Sequence, residues 1–123
     1  GMINPADRVY AGFGSVFNAD YTAGTVSMVS QSGGFGFSVM NLSSLDGGLP
    51  FRQMVTTGNE IGVSTLDFMD YFIRDPQTEI IGTYIEGVKD ARRILEVGDR
   101  ALAAGKPILM WKVGNTEQGQ KAA

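Results

Sequence analysis

At 123 residues, 43% hydrophobic and 19% charged, the chain is long enough to bury one core and too short for two ordinary domains. Its net charge of −3, with Arg92-Arg93 the only adjacent basic pair, offers no patch to a nucleic acid; with no apolar run near the roughly 20 residues that cross a bilayer and no signal-peptide pattern, it is expected to be cytoplasmic and off the membrane. Zero cysteines and zero histidines exclude disulfides, thiol nucleophiles, iron–sulfur and ordinary zinc sites, an imidazole base and a Ser-His-Asp triad, and no metal site is expected.

From Met2 to Ala23 the pattern is irregular. Asn4-Pro5, Gly12, Gly14 and Asn18 interrupt the apolar residues, and the segment reads as a lead-in packed against a core that it does not organise. A regular rhythm begins at Gly24. A β-branched strand over residues 25–30 runs into the turn Gln31-Ser32-Gly33-Gly34; Phe35, Val39, Leu42 and Leu45 then recur at the spacing of a buried helical stripe, which Asp46-Gly47-Gly48 stops. The second unit has a strand over 51–56, a loop Thr57-Gly58-Asn59-Glu60, and a helix opened by Ser64 and Asp67 as a capping box. That helix carries Leu66, Met69, Phe72 and Ile73 inward and ends before Pro76. The third unit is a strand over 79–85, Glu86-Gly87, and a helix over about 89–104 with Ile94, Val97, Ala101 and Leu102 on its stripe and Gly105 as its stop. A fourth strand over 107–113 leads into Gly114-Asn115 and a polar tail.

Strands alternating with helices of three to four turns require right-handed crossovers. They predict a three-layer α/β/α, flavodoxin-like domain with a doubly wound parallel sheet over residues 24–123, residues 1–23 being the lead-in. Parallel strands gather the loops that leave their C-terminal ends at one edge, where such sheets bind ligands. That edge collects residues 30–34, 57–62, 86–90 and 112–119.

Ser30, Gln31, Ser32, Gly33 and Gly34 form the strongest local signal. Small residues at a helix start let backbone N–H groups approach an anion, and the helix dipole favours negative charge there by roughly 0.3–1 kcal/mol. The motif is neither a Walker A loop nor a dinucleotide fingerprint, and the same residues also suit a tight turn that needs glycine only for packing. Glu86 ends an apolar strand at the ligand edge, where it can orient a histidine, act as a base, or serve as a strand-end cap. Asn59 and Glu60 suit phosphate or ribose as well as plain turn chemistry. Lys112 can neutralise an anion or merely protect a terminal strand. The methionines with Phe35, Phe37 and Phe68 are assigned to core packing.

Taken in order, Val-Ser-Gln-Ser-Gly-Gly (29–34), Thr-Gly-Asn-Glu (57–60), Arg-Asp-Pro-Gln-Thr-Glu (74–79), Tyr-Ile-Glu-Gly (84–87) and Gly-Lys-Pro-Ile-Leu (105–109) resemble the flavodoxin-like second domain of the NDP-forming acyl-CoA synthetases, relatives of the succinyl-CoA synthetase α subunit. The resemblance covers about residues 20–123, and Met2-Ile3-Asn4 resembles the end of a preceding CoA-binding domain. It implies a reaction in which acyl-CoA, phosphate and a nucleoside diphosphate become the free acid, CoA and the triphosphate through an acyl phosphate and a phosphohistidine. Residues 30–34 would hold the phosphate or phosphohistidine and Glu86 would orient the histidine. Asn59 and Lys112 match family-like positions without an assigned role. The family's histidine lies beyond a Gly-rich tail that this sequence does not pass, so the chain is expected to be a non-catalytic fragment of a larger enzyme. It would carry no cofactor itself, the parent using CoA, magnesium-bound NDP or NTP, and phosphate. Its implied partners are CoA-binding and ATP-grasp domains or subunits, with self-association also open. Two other readings stand beside this one: an acyl-CoA-sensing module of an acetyltransferase fusion, and an FMN-binding flavodoxin.

Overall fold

The computed structural model of the chain describes residues 1–45 and 47–114. The Asp46 part of the first helix stop and the ligand-edge stretch beyond Gly114 lie outside them. In chain order come strands β1 (Met2–Asn4) and β2 (Val9–Ala11), a 3₁₀ turn (Ser15–Asn18), β3 (Ala23–Ser30), helix α1 (Gly33–Ser43), β4 (Phe51–Thr56), α2 (Thr65–Arg74), β5 (Ile80–Ile85), α3 (Ala91–Ala103) and β6 (Ile108–Lys112).

The predicted parallel sheet is present as β4-β3-β5-β6, and β1 and β2 extend it to six strands in the order β2-β1-β4-β3-β5-β6. The sheet is therefore mixed, and the lead-in is part of it. β1 pairs antiparallel with β4, Met2 opposite Val55 and Ile3 opposite Met54, and Ile3 is fully buried. Strands of three residues are too short to show a period in sequence. They are fixed instead by polar contacts at the far end of β4. Buried Arg52 donates from Nη1 to Asn4 Oδ1 at 2.7 Å and to Asp7 Oδ2 at 3.0 Å, while its Nε lies 3.3 Å from the buried Asp75 carboxylate. Pairing of this kind offsets the cost of taking a guanidinium out of water.

Two apolar clusters sandwich the sheet. On one face Met40 of α1 and Val16 of the 3₁₀ turn pack on Val26, Met28, Phe51 and Met54; on the other Leu66, Met69 and Phe72 of α2 and Val97 of α3 pack on Val29, Val55 and Ile81. The α2 stripe is as the sequence predicts, and its capping box forms in both directions between Ser64 and Asp67. The α1 stripe is met in its first half, where Phe35 and Val39 pack partly buried against the first cluster, and differs in its second. Leu42 and Leu45 are more than half exposed, and the buried face is Gly36 and Met40. A Cβ on Gly36 would lie 2.8 Å from Thr56 Cγ2 and 3.3 Å from Ser30 Cβ, so glycine lets α1 press on the ends of β3 and β4, and this contact sets which face turns inward. Leu102 of α3 is likewise outward and exposed, while Val97 and Ala101 of the same stripe are buried as predicted. Gly105 stops α3 at a φ of +68°, the left-handed residue that commonly closes a helix.

Candidate functional site

From β3 the chain crosses by way of α1 to β4 on one side, and from β4 by way of α2 to β5 on the other. The C-terminal ends of β3 and β5 are therefore the point where the winding reverses, and the loops leaving them flank a crevice of the kind that takes ligands in open α/β sheets. Residues 30–34 and 86–90 meet there.

Ser30 is fully buried, and its hydroxyl donates to the Ser32 carbonyl at 2.7 Å, which holds the turn closed. Ser32 is the N-cap of α1, accepting from Phe35 N–H at 3.3 Å, while Gly36 N–H reaches the Ser32 carbonyl at 3.1 Å. Gly33 and Gly34 supply the first-turn N–H groups, which have no earlier helical carbonyl to bond. No acidic residue lies in that turn. The other two helices are different. At the start of α2, Asp67 accepts from Ser64 N–H at 2.8 Å and Glu60 accepts from Thr65 N–H at 2.7 Å. At the start of α3, Asp90 accepts from Arg92 and Arg93 N–H at 3.1 and 3.3 Å. Among the three described helices, α1 is the one whose positive end is not met by its own carboxylate.

The titration behaviour follows the same division. Burial pushes the Glu60 carboxyl up, but the Thr65 hydroxyl, the Gln31 amide, Thr65 N–H and the Thr57 hydroxyl together outweigh it and leave the group below its ordinary value. The Ser64 N–H, the Arg93 guanidinium and the Ser64 hydroxyl hold Asp67 down to about 2. Both carboxylates serve α2, so Glu60 is a helix cap held at a φ of 54°, and the phosphate or ribose role open to it in sequence has no support from this geometry.

Gln31 turns its side chain across the crevice. Its Oε1 accepts from Glu86 N–H at 2.6 Å and Gly87 N–H at 3.0 Å, and its Nε2 donates to the Gly87 carbonyl at 2.7 Å. Lys112 Nζ donates to the Glu86 carbonyl at 2.8 Å. The Glu86 backbone is thus gripped from both sides, and its half-buried carboxylate has no hydrogen-bond partner among the described residues.

The family model described as "Succinyl-CoA ligase like flavodoxin domain" matches residues 23–123. The chain belongs to this family. It is 34% identical over its whole length to acetate–CoA ligase [ADP-forming] I of Archaeoglobus fulgidus, covering 17% of that protein. It is 33% identical over its whole length to the α subunit of acetate–CoA ligase [ADP-forming] I of Pyrococcus furiosus, covering 26% of it. The apo dinucleotide-forming acetyl-coenzyme A synthetase 1 of Ca. Korarchaeum cryptofilum superposes with a TM-score of 0.85 at 31% identity, over 99% of this chain and 26% of that one. Its complex with phosphate and ADP gives 0.84. This succinyl-CoA ligase-like domain therefore spans a sixth to a quarter of the proteins it resembles, and both the motif-based resemblance and the flavodoxin-like fold are borne out.

Of the residues singled out in sequence, the domain brings Ser30, Gln31, Ser32, Gly33, Gly34, Glu86 and Lys112 to the crevice. Asn59 is exposed and lines a neighbouring concavity with Met2, Val55, Ile61, Val63 and Phe68. The loop it sits on starts beside the crevice, since Thr57 N–H donates to the Ser30 carbonyl at 2.9 Å. Sequence reasoning did not single out the cleft of about 290 Å³ next to Gln31, where Glu60, Ser64, Lys89, Asp90 and Arg93 meet over Leu66, Ile85 and Val88. Arg93 stands in the first turn of α3, and Lys89 lies just before the Asp90 cap of that helix, so both basic residues reach the cleft from its N-terminal end. Among the described residues no three His, Cys, Asp or Glu side chains gather in a way that could hold a metal ion.

Proposed function

We propose that this chain is the phosphate-holding domain of an ADP-forming acyl-CoA ligase. The complete enzyme converts acyl-CoA, phosphate and the diphosphate into CoA, free acid and the triphosphate. Phosphate oxygen displaces the thiolate of CoA to give an acyl phosphate. The phosphoryl group then passes to a histidine, releasing the carboxylate, and from the histidine to the diphosphate. That histidine, the CoA-binding domain and the ATP-grasp domain belong to the remainder of the enzyme, which works in the cytoplasm.

The observation that carries this reading is the start of α1, a helix N-terminus at the reversal point of the sheet, lined by Ser32, Gly33 and Gly34 and free of acidic residues in its first turn. Its N–H groups and dipole suit the phosphoryl oxygens, whether on free phosphate or on the histidine. Across the crevice Glu86 has its backbone fixed by Gln31 and Lys112. Its carboxylate is the group to accept an imidazole N–H, set the tautomer and offset the positive charge that develops on the ring. Gln31 contributes by holding that loop, its side chain bonding Glu86 and Gly87 and lying beside Glu60.

The test is steady-state formation of ATP from acetyl-CoA, ADP and phosphate by the complete enzyme. Glu86→Gln keeps the shape and removes the charge. It is expected to lower kcat by about 10²-fold, the scale of a lost acid–base partner, with KM for ADP changed less than twofold. An unchanged kcat would remove Glu86 from the mechanism.

A further inference from the structure

We infer that Glu60 is a positioning residue for Glu86: its carboxylate fixes the orientation of the Gln31 amide, and Gln31 fixes the backbone that carries Glu86. Its use in the reaction rests on the phosphohistidine reading; the link itself rests on contacts within the domain.

The Glu60 backbone is the first sign. Glu60 and Arg8 are the two non-glycine residues at positive φ among the described residues, and Glu60 stands at +54° in a loop that already places Gly58 at +61°. A side chain in the left-handed region is strained, and such strain persists where the surroundings hold the residue in place, often beside a functional site. Capping of α2 does not account for it. Ser64 and Asp67 already form a capping box in both directions, so Glu60 is a second carboxylate at the same helix end.

The groups around that carboxylate are donors. Oε1 accepts from Thr65 N–H at 2.7 Å, from the Thr65 hydroxyl and from the Thr57 hydroxyl at 3.3 Å, and the Gln31 amide joins them. An ionised carboxylate accepts hydrogen bonds and donates none. The edge of the Gln31 amide turned to Glu60 is therefore Nε2, which leaves Oε1 to accept from Glu86 and Gly87 N–H at 2.6 and 3.0 Å. With the amide reversed, Nε2 would face those two N–H groups and the grip on the loop would be lost. The carboxylate thus selects the one of two amide orientations that holds Glu86.

Two further contacts close the circuit. Thr57 N–H donates to the Ser30 carbonyl at 2.9 Å, next to Gln31, and Lys89 Nζ donates to the Glu60 carbonyl at 3.4 Å from the loop that carries Glu86. Residues 30–31, 57–60 and 86–89 are joined through Glu60.

Two substitutions separate the carboxylate from the turn. Glu60→Gly suits the positive φ and Glu60→Gln keeps the side-chain size, while both remove the charge that orders the amide. Both are made in the complete enzyme and read by deuterium exchange and by steady-state ATP formation. The Glu86 and Gly87 amides are expected to exchange at least about tenfold faster in each, while the Met69 and Phe72 amides inside α2 change less than about threefold, because the Ser64–Asp67 box still caps that helix. A helix cap alone would give the opposite pattern. The expected kcat is lower by about tenfold, with KM for ADP changed less than about twofold. Joined to Glu86→Gln, Glu60→Gln should add less than about twofold to the loss from Glu86→Gln alone, since it acts through Glu86. Unchanged exchange at Glu86 and Gly87 overturns the inference. Where Glu86→Gln is impaired, an unchanged kcat in the Glu60 variants overturns it too, as does a loss that multiplies in full with that of Glu86→Gln. Faster exchange beside a silent Glu86→Gln upholds the link and removes the phosphohistidine reading instead.

Discussion

Replacing Gln31 by Ala removes three hydrogen bonds that span 55 and 56 residues of sequence and that join the end of β3 to the loop after β5. A typical intramolecular hydrogen bond contributes about 0.5–1.5 kcal/mol net, and the Gly87 end of this set is exposed and can recover water. The expected loss is therefore about 1.5–3 kcal/mol, read as a lower midpoint in urea unfolding with an unchanged slope. The Glu86 and Gly87 amides should exchange with deuterium at least about tenfold faster, since 1.4 kcal/mol is a factor of ten. Gln31→Glu keeps an acceptor for both amides but loses the donor to the Gly87 carbonyl and sets a second carboxylate beside Glu60, so it too should fall below wild type. A loss below about 0.5 kcal/mol with unchanged exchange would refute the clamp and leave the Gln31 side chain available to a phosphate.

Asp67, held down to about 2 from 3.8, carries stability that is present above about pH 4 and is lost as the pH falls toward 2. Its side chain is 39% exposed, so solvent screening reduces the full linkage value to about 1 kcal/mol, and Asp67→Asn should flatten that acid limb in a pH series of thermal melts. Gly36→Val puts branched bulk where a single Cβ already sits 2.8 Å from Thr56 Cγ2, and should cost about 1–3 kcal/mol in chemical denaturation by displacing α1.

Much of the architecture was legible because local chemistry and the tertiary structure agree. The Ser64–Asp67 capping box, the halt before Pro76 and the Gly105 stop are local signals, and each forms as read. That residues 30–34 and 86–90 share the ligand edge also follows from the alternation of strands and helices, while their meeting there depends on the strand order. Three features needed the fold. Helical spacing put Leu42 and Leu45 on the α1 stripe, but close contact through Gly36 turned these two leucines outward. β1 and β2 are too short for a period and depend on the Arg52 contacts with Asn4 and Asp7 from across the sheet. The role of the Gln31 side chain is legible only once β5 is known to lie beside β3.

The most direct test of the phosphate site is calorimetric titration of this chain with inorganic phosphate, beside Ser32→Glu. A glutamate at the cap brings its own carboxylate to the start of α1, as Asp67 does for α2. Binding to the wild type that Ser32→Glu weakens at least about tenfold is the result the account requires. Equal binding by both proteins would contradict it, and so would a wild type that takes no phosphate.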